Sequence, residues 1–253
     1  MRHATHPTHA THPTIVGRRL RAASDDIPDL AYDVLLEAYD PDSLFSDTAG
    51  TTAAAVDGSV ARVNDTSENN NNATQSVVAA RPLRRQSGDL NWLDFDGVDD
   101  RLIVAPDASW RKTARSLIMV ARLPSAVTSR VRIAGSADAV GFIAQYESGG
   151  TVTNISNLEA SAYYTNGTQI TGTIDLGRLH SEWATDQWTI VEVAGWDGTQ
   201  SAFNGGLQFV GINGTANLTS GDIGAVIVLS QTLANDNRAA ITAALAAKFG
   251  ITL

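Results

Sequence analysis

Residues 90 to 104 read LNWLDFDGVDDRLIV. Leu90, Trp92 (or Leu93) and Phe95 lead in, Asp96-Gly97 is a turn dipeptide, and Leu102, Ile103 and Val104 lead out. A short run of apolar and β-favouring residues, a turn and a second such run predict a strand, a turn and a strand. The flanking chain repeats the scheme. YDVLLEAYDPDSLF (32–45) is a strand ended by an Asp-Pro turn, and SVARV (59–63) breaks a long polar stretch. Further strands are predicted in SLIMVARL, VRIAG, GFIAQY, SAYYTNG, WTIVEVAGWDG and LQFVGING. Asn166-Gly167, Asp197-Gly198, Asn204-Gly205 and Asn213-Gly214 supply turns between them. Short strands at regular spacing predict an all-β chain folded as a two-sheet sandwich or jelly roll.

The C-terminal segment departs from this pattern. GAVIVLSQTL (224–233) is a buried strand, and residues 235–249 form a helix with Ile241, Ala244, Leu245 and Phe249 on one apolar face. Asn235 is placed to cap its start and Gly250 to stop it. One terminal helix on a β body is expected to cover an open edge or end of a sheet. ENNNN (68–72) reads as a solvated loop in which consecutive asparagines take over turns that glycine usually makes.

The chain has 253 residues, enough to bury a full core, and is expected to be one domain with an appendage. Its net charge of −9 argues against a nucleic-acid partner. The charge is segregated. Residues 1–23 contain no acid but carry Arg2, Arg18, Arg19 and Arg21 with four of the five histidines. Such a split is expected of a basic arm that docks on an acidic surface. With no cysteine there is no disulfide, zinc-thiolate site or catalytic thiol. No apolar run is long enough for a membrane span, and the first 15 residues lack the apolar stretch of a signal peptide, so Sec export is not expected.

The arm opens on a duplicated hexapeptide, HATHPT HATHPT (3–14). Pro7 and Pro13 exclude a continuous helix and a central strand, leaving extended or polyproline-II geometry. At three residues per turn, His3, His6, His9 and His12 line one edge, with neighbours about 9 Å apart. That is too far for two of them to grip one ion within a chain, although three parallel chains could stack rings of three histidines. The arm, residues 1–30 with the hinge SDDIPDL (24–30), is read as an attachment device, and residues 31–253 as the folded body.

FDGVDD (95–100) after an apolar strand resembles the turn of LamG-like, concanavalin A-like jelly rolls. Trp188 opening a strand, WDG (196–198), FNGG (203–206) and the ending IGAVIVLSQTLANDNRAAITAALAAKFGI (223–251) follow in the order that family uses. DPDSLFSDTAGTT (40–52), DGSVARVNDTSENNNNATQ (57–75) and RPLRR (81–85) resemble a narrower subgroup among tailed-phage and prophage structural proteins. The chain departs from that subgroup in ENNNN, where asparagines stand for glycines, and at Ala234, where a helix-capping serine is usual.

The resemblance implies a concanavalin A-like (LamG-like) two-sheet jelly-roll sandwich with an extended N-terminal arm and one C-terminal helix. It also implies a phage virion structural protein, as capsid decoration, head spike or fibre, or tail appendage. The partners so implied are other virion proteins, reached through the arm, and a host-surface glycan. A homo-oligomer is expected, with a trimer favoured, because arms of this type meet at symmetry axes. A bacterial carbohydrate-binding lectin is the alternative, and a glycoside hydrolase ranks behind it.

A retaining glycosidase needs two carboxylates about 5 Å apart. Jelly-roll glucanases commonly place them along one strand as E-x-D-x-x-E, so that both face the same way, and no such pattern exists here. Glu192 and Asp197 are oddly spaced and fall on opposite faces, and Glu182 and Asp186 flank Trp183 without a third acid. A Ser-His-Asp site would have to use His180, the one histidine outside the arm. No phosphate loop or dinucleotide motif is present. The chain is therefore expected not to be an enzyme. For glycan stacking the candidates are aromatics beside polar loops, namely Trp110, Tyr163, Tyr164, Trp183 and Trp196. No cofactor is required, and calcium is the candidate ion for the acidic cluster Asp94, Asp96, Asp99 and Asp100, with the last three as its ligands.

Overall fold

The computed structural model describes residues 27–28, 30–107, 109–111, 115–123, 130–137, 142–147, 162–172, 182–183, 185–196, 199, 205–209 and 220–253. The basic arm, its four histidines, His180, Asp197 and three of the turn dipeptides lie wholly or partly outside them. The described residues form two antiparallel sheets and one helix, an all-β sandwich with a C-terminal cover.

Strands are numbered along the chain. The first sheet runs β12 (Thr168–Gln169), β11 (Ala162–Thr165), β13 (Trp188–Trp196), β8 (Arg115–Arg122), β15 (Ser220–Leu229), β6 (Leu90–Asp96) and β5 (Leu83–Ser87). In it, β1 (Tyr32–Glu37) also pairs with β15. The second sheet runs β10 (Phe142–Glu147), β9 (Arg130–Ser136), β14 (Leu207–Phe209), β7 (Leu102–Val104), β4 (Ala73–Thr74), β3 (Arg62–Val63) and β2 (Leu44–Phe45). Leu36, Leu93, Phe95, Leu117, Met119, Trp196 and Val228 of the first sheet pack between the sheets with Val63, Val104 and Phe209 of the second.

The 90–104 stretch is two strands and a turn, but not a hairpin. β6 belongs to the first sheet and β7 to the second, so FDGVDD is a corner that carries the chain across the sandwich. The Asp96 carboxylate explains the corner, because its Oδ1 accepts from the amides of Val98, Asp99 and Asp100. Asp100 closes the loop by accepting from the Asp96 amide at 3.0 Å.

The outer face of the first sheet holds a second apolar layer. Leu35, Ile118, Val120, Ile190 and Ile227 pack there under Ile241, Leu245 and Phe249 of α1 (Asn235–Phe249). The helix bounds agree with the sequence reading, and Gly250 ends it in the left-handed conformation at φ 65°. The cap differs: Ala234 holds that position without a side-chain bond, and Asn235 is the first helical residue.

Gly224 is the hinge of this layer. Along one edge of β15, β6 pairs up to Ile223 and β1 takes over from Ala225, so Gly224 sits at the hand-over, beside a bulge. The Phe249 ring fills the space above it, and a Cβ built there would lie 2.1 Å from the ring. Gly224→Ala is expected to cost about 1–3 kcal/mol through overpacking. A melting curve equal to the parent's would contradict this packing.

The hinge and the asparagine run differ from expectation. Ile27 is buried in the helix-side layer and Leu30 packs against it, so the body begins inside the supposed polar hinge. ENNNN is solvated at Glu68, Asn69 and Asn70, as expected, but it is pinned to the body at Asn71. Asn71 is buried, and its amide side chain donates to the Asp33 carbonyl and the Ser109 hydroxyl, each at 2.7 Å. Asp65 accepts from the amides of Leu35, Ser67 and Asn71. Asn70 adopts φ 57°, the left-handed turn the sequence suggested for an asparagine. Asn71 is polar because it satisfies buried backbone, which composition alone does not distinguish from its exposed neighbours.

Candidate functional site

Four of the five aromatic candidates are core residues. Trp110 and Trp196 are 0 % exposed, and Tyr163 and Trp183 are also buried. Their rings face the packed interior, so a sugar has no surface there to stack on. The Trp110 indole N–H is used at 2.8 Å by the Ala105 carbonyl. Tyr164 is half-buried, and its ring is covered by the Arg238 guanidinium at 3.9 Å.

Another aromatic group lies on the outer face of the first sheet, beside the last turn of α1. A cross-strand row runs from Asp94 on β6 to Asp222 on β15, Arg122 on β8 and Trp188 on β13, each directly opposite the next. The sequence folds this way because Leu93 and Phe95 point inward, so the alternate residues Trp92 and Asp94 must point outward. Trp92 and Trp188 meet edge to face at 6.1 Å, with Arg122 over both rings at 5.2 and 4.9 Å. Phe249 stands against Trp188 at 4.9 Å as a wall.

Each carboxylate in the row has a counterion. Arg122 pairs with Asp222 at 2.7 Å, and Arg85 pairs with Asp94 at 2.8 Å and with Asp57 at 2.7 Å. Burial pushes the Asp222 carboxyl above its ordinary range, while hydrogen bonding and charge from Arg122, and a hydrogen bond from Trp92, pull it back. The charge of Asp94 across the strand pushes it up further. Trp92, Trp188, Arg122 and Asp222 were missed as site residues, and Asp94 was considered only with the acidic cluster of the corner. The strand parity that sends Trp92 outward was the available signal; the Asp94–Asp222 pairing is non-local and left none.

The acidic corner brings Asp96, Asp99 and Asp100 together, with one carboxylate oxygen of each lying within 4.8 Å of the others. Among the described residues its bonds are those that close the turn. Burial, opposed by the hydrogen bond from the Asp96 amide and assisted by the charges of Asp96, Asp99 and Asp94, pushes the Asp100 carboxyl up to about 6. A carboxyl raised in the folded state favours folding when protonated. That contribution is complete below the ordinary value of 3.8 and is lost as pH rises through about 6. Asp100→Asn, whose amide oxygen can keep the bond from Asp96, is therefore expected to melt higher than the parent at pH 7.5 and alike at pH 3.5. An equal shift at both would contradict it.

A further depression of about 280 Å³ lies between Pro106, Asp107, Arg111 and Thr199, with no aromatic ring among the described residues that line it.

No protein-family model and no curated protein matches the chain. Solved structures similar to it include Trypanosoma rangeli sialidase, at TM-score 0.47 and 9 % identity over 85 % of this chain and 33 % of that one. A mutant of that sialidase displaying trans-sialidase activity gives 0.48 and 9 % over 90 % and 35 %. The sialidase in complex with sialic acid gives 0.42 and 9 % over 87 % and 36 %. The chain thus spans about a third of the length of these structures, and the likeness concerns architecture alone. The expectation that the chain is not an enzyme is corrected to this extent: the three solved chains named above are sialidases. The missing E-x-D-x-x-E pattern excluded only carboxylates along one strand, whereas Asp94 and Asp222 face each other from two.

Proposed function

We propose that the chain is a structural protein of a tailed-phage virion, tethered by its basic arm and holding a LamG-like jelly roll out toward a host-surface glycan. One observation supports the tether above the others. Where the arginine-bearing, acid-free segment meets the acidic body, Ile27 is buried in the helix-side layer and Leu30 packs against it. β1 follows at once and pairs with β15, which is bonded to β8 on its other edge. Load on the arm therefore passes into the middle of the first sheet and not into a surface loop. The virion partner is a surface of opposite charge to the arm, and arms meeting on a symmetry axis give a homotrimer.

Light scattering on the full chain and on a chain starting at Ser24 tests the tether. A trimer that becomes a monomer without the arm is expected, and equal masses would contradict an assembling arm.

A second reading, glycoside hydrolysis, is favoured by Asp94 standing opposite Asp222, since paired carboxylates in unlike surroundings can divide the roles of nucleophile and acid. It predicts release of reducing sugar by the full chain and loss of that release in Asp94→Asn. Equal release from both would contradict it.

A further inference from the structure

We propose that the glycan site is the row Asp94–Asp222–Arg122–Trp188 with Trp92, and that it takes an uncharged pyranose. This deepens the glycan half of the proposed function and does not depend on the arm.

Four observations converge. First, like charges directly opposite on neighbouring antiparallel strands oppose folding, yet Asp94 and Asp222 occupy such positions. Each is held there by its own arginine, Arg85 on Asp94 and Arg122 on Asp222, which keeps two carboxylates side by side on one open face.

Second, the place is shaped. α1 covers the neighbouring part of this face, and its last turn ends in Phe249, which stands over the side-chain-free Gly224 and against Trp188. The row is thus a floor with an aromatic wall along one side.

Third, the floor offers what a sugar ring requires. Trp92 and Trp188 are half-buried, so each keeps part of its indole surface in solvent beside the Arg122 guanidinium that lies over both rings. The Asp94 and Arg122 side chains keep 34 % and 33 % of their surface in solvent, one accepting from hydroxyls and the other donating to them.

Fourth, the charge selects. Among the described residues of the row's ion pairs, Asp57, Asp94 and Asp222 face Arg85 and Arg122, while Lys248, beside the Phe249 wall, is turned onto the Tyr39 ring; the chain's net charge is −9. A sialate or uronate would bring a further negative charge to carboxylates whose arginines are already engaged. A neutral hexose brings only hydroxyls and a C–H face.

Affinity electrophoresis of the full chain tests this in native gels that contain a neutral glucan, galactan or mannan, or a polyuronate or polysialic acid. Retardation by at least one neutral glycan and by neither polyanion is expected. Asp94→Asn and Trp92→Leu should each weaken it tenfold or more, with Asp94→Asn melting no lower than the parent, since it removes a like-charge pair along with a half-exposed ion pair. Retardation by the polyanions alone, lost in Trp92→Leu, would overturn the uncharged class while keeping the site. Retardation equal in the parent and both variants would overturn the site while leaving the glycan reading in place. No retardation by any of the five would overturn both, whatever the arm does in light scattering.

Discussion

Arg238→Met is expected to cost about 3–5 kcal/mol, the penalty of leaving one member of a buried ion pair alone. The Arg238 and Glu192 side chains are only 6 % and 4 % exposed, and they meet in a two-pronged contact, Nε to Oε2 at 2.6 Å and Nη2 to Oε1 at 3.1 Å. The guanidinium also donates to the Leu233 carbonyl and to Asn235 Oδ1, and the Ser116 hydroxyl donates to Glu192. The arginine is therefore the bolt between α1 and β13, with Tyr164 packed on its face. Removing it strands a carboxylate beneath the helix. The double variant Arg238→Met, Glu192→Leu should recover much of the loss, because an apolar pair of similar volume is often neutral or better. Chemical denaturation of the parent, both single variants and the double variant checks this. Purely additive losses would contradict the coupling.

Phe249→Ala is the second large effect, about 3–5 kcal/mol for truncating a buried phenylalanine. Phe249 fills the space above Gly224 and contacts Tyr39 at 5.9 Å and Trp188 at 4.9 Å, so its loss leaves a cavity at the end of the helix. The same variant removes the wall of the proposed site, and Trp188 fluorescence should shift to the red as water reaches the indole. Gly224→Ala in that background should cost less than in the parent, since the ring it would strike is gone. A Phe249→Ala protein as stable as the parent, with unchanged emission, would contradict the described packing.

These expectations show where the sequence was informative. Alternation of Leu93 and Phe95 with Trp92 and Asp94 is local, and it revealed β6. Gly250 and the apolar spacing from Ile241 to Phe249 are local too, and the helix ends where they say. What the sequence concealed is non-local. Whether FDGVDD closes a hairpin or turns a corner depends on which sheet receives β7, and nothing within the hexapeptide decides that.

Glu192 looked like a stray acid because its partner lies 46 residues away on the helix, where periodicity singled out only the apolar face. Four of the five aromatic candidates are buried for a related reason. They were chosen for nearness to polar loops, but burial follows the side of the sheet a residue faces, which puts Trp196 inside and Trp188 at the surface layer of the same strand. Asp94 and Asp222 become neighbours only once β15 is laid against β6.

The central claim is the location of the glycan site, and the five tryptophan indole N–H signals of an ¹⁵N-labelled chain test it directly. On titration with a neutral glycan that retards the protein in gels, the account predicts that the signals of Trp92 and Trp188 move and saturate together. Trp110, Trp183 and Trp196 should stay in place. Movement of any of those three while Trp92 and Trp188 remain still would contradict the account and return the site to the loop-side aromatics.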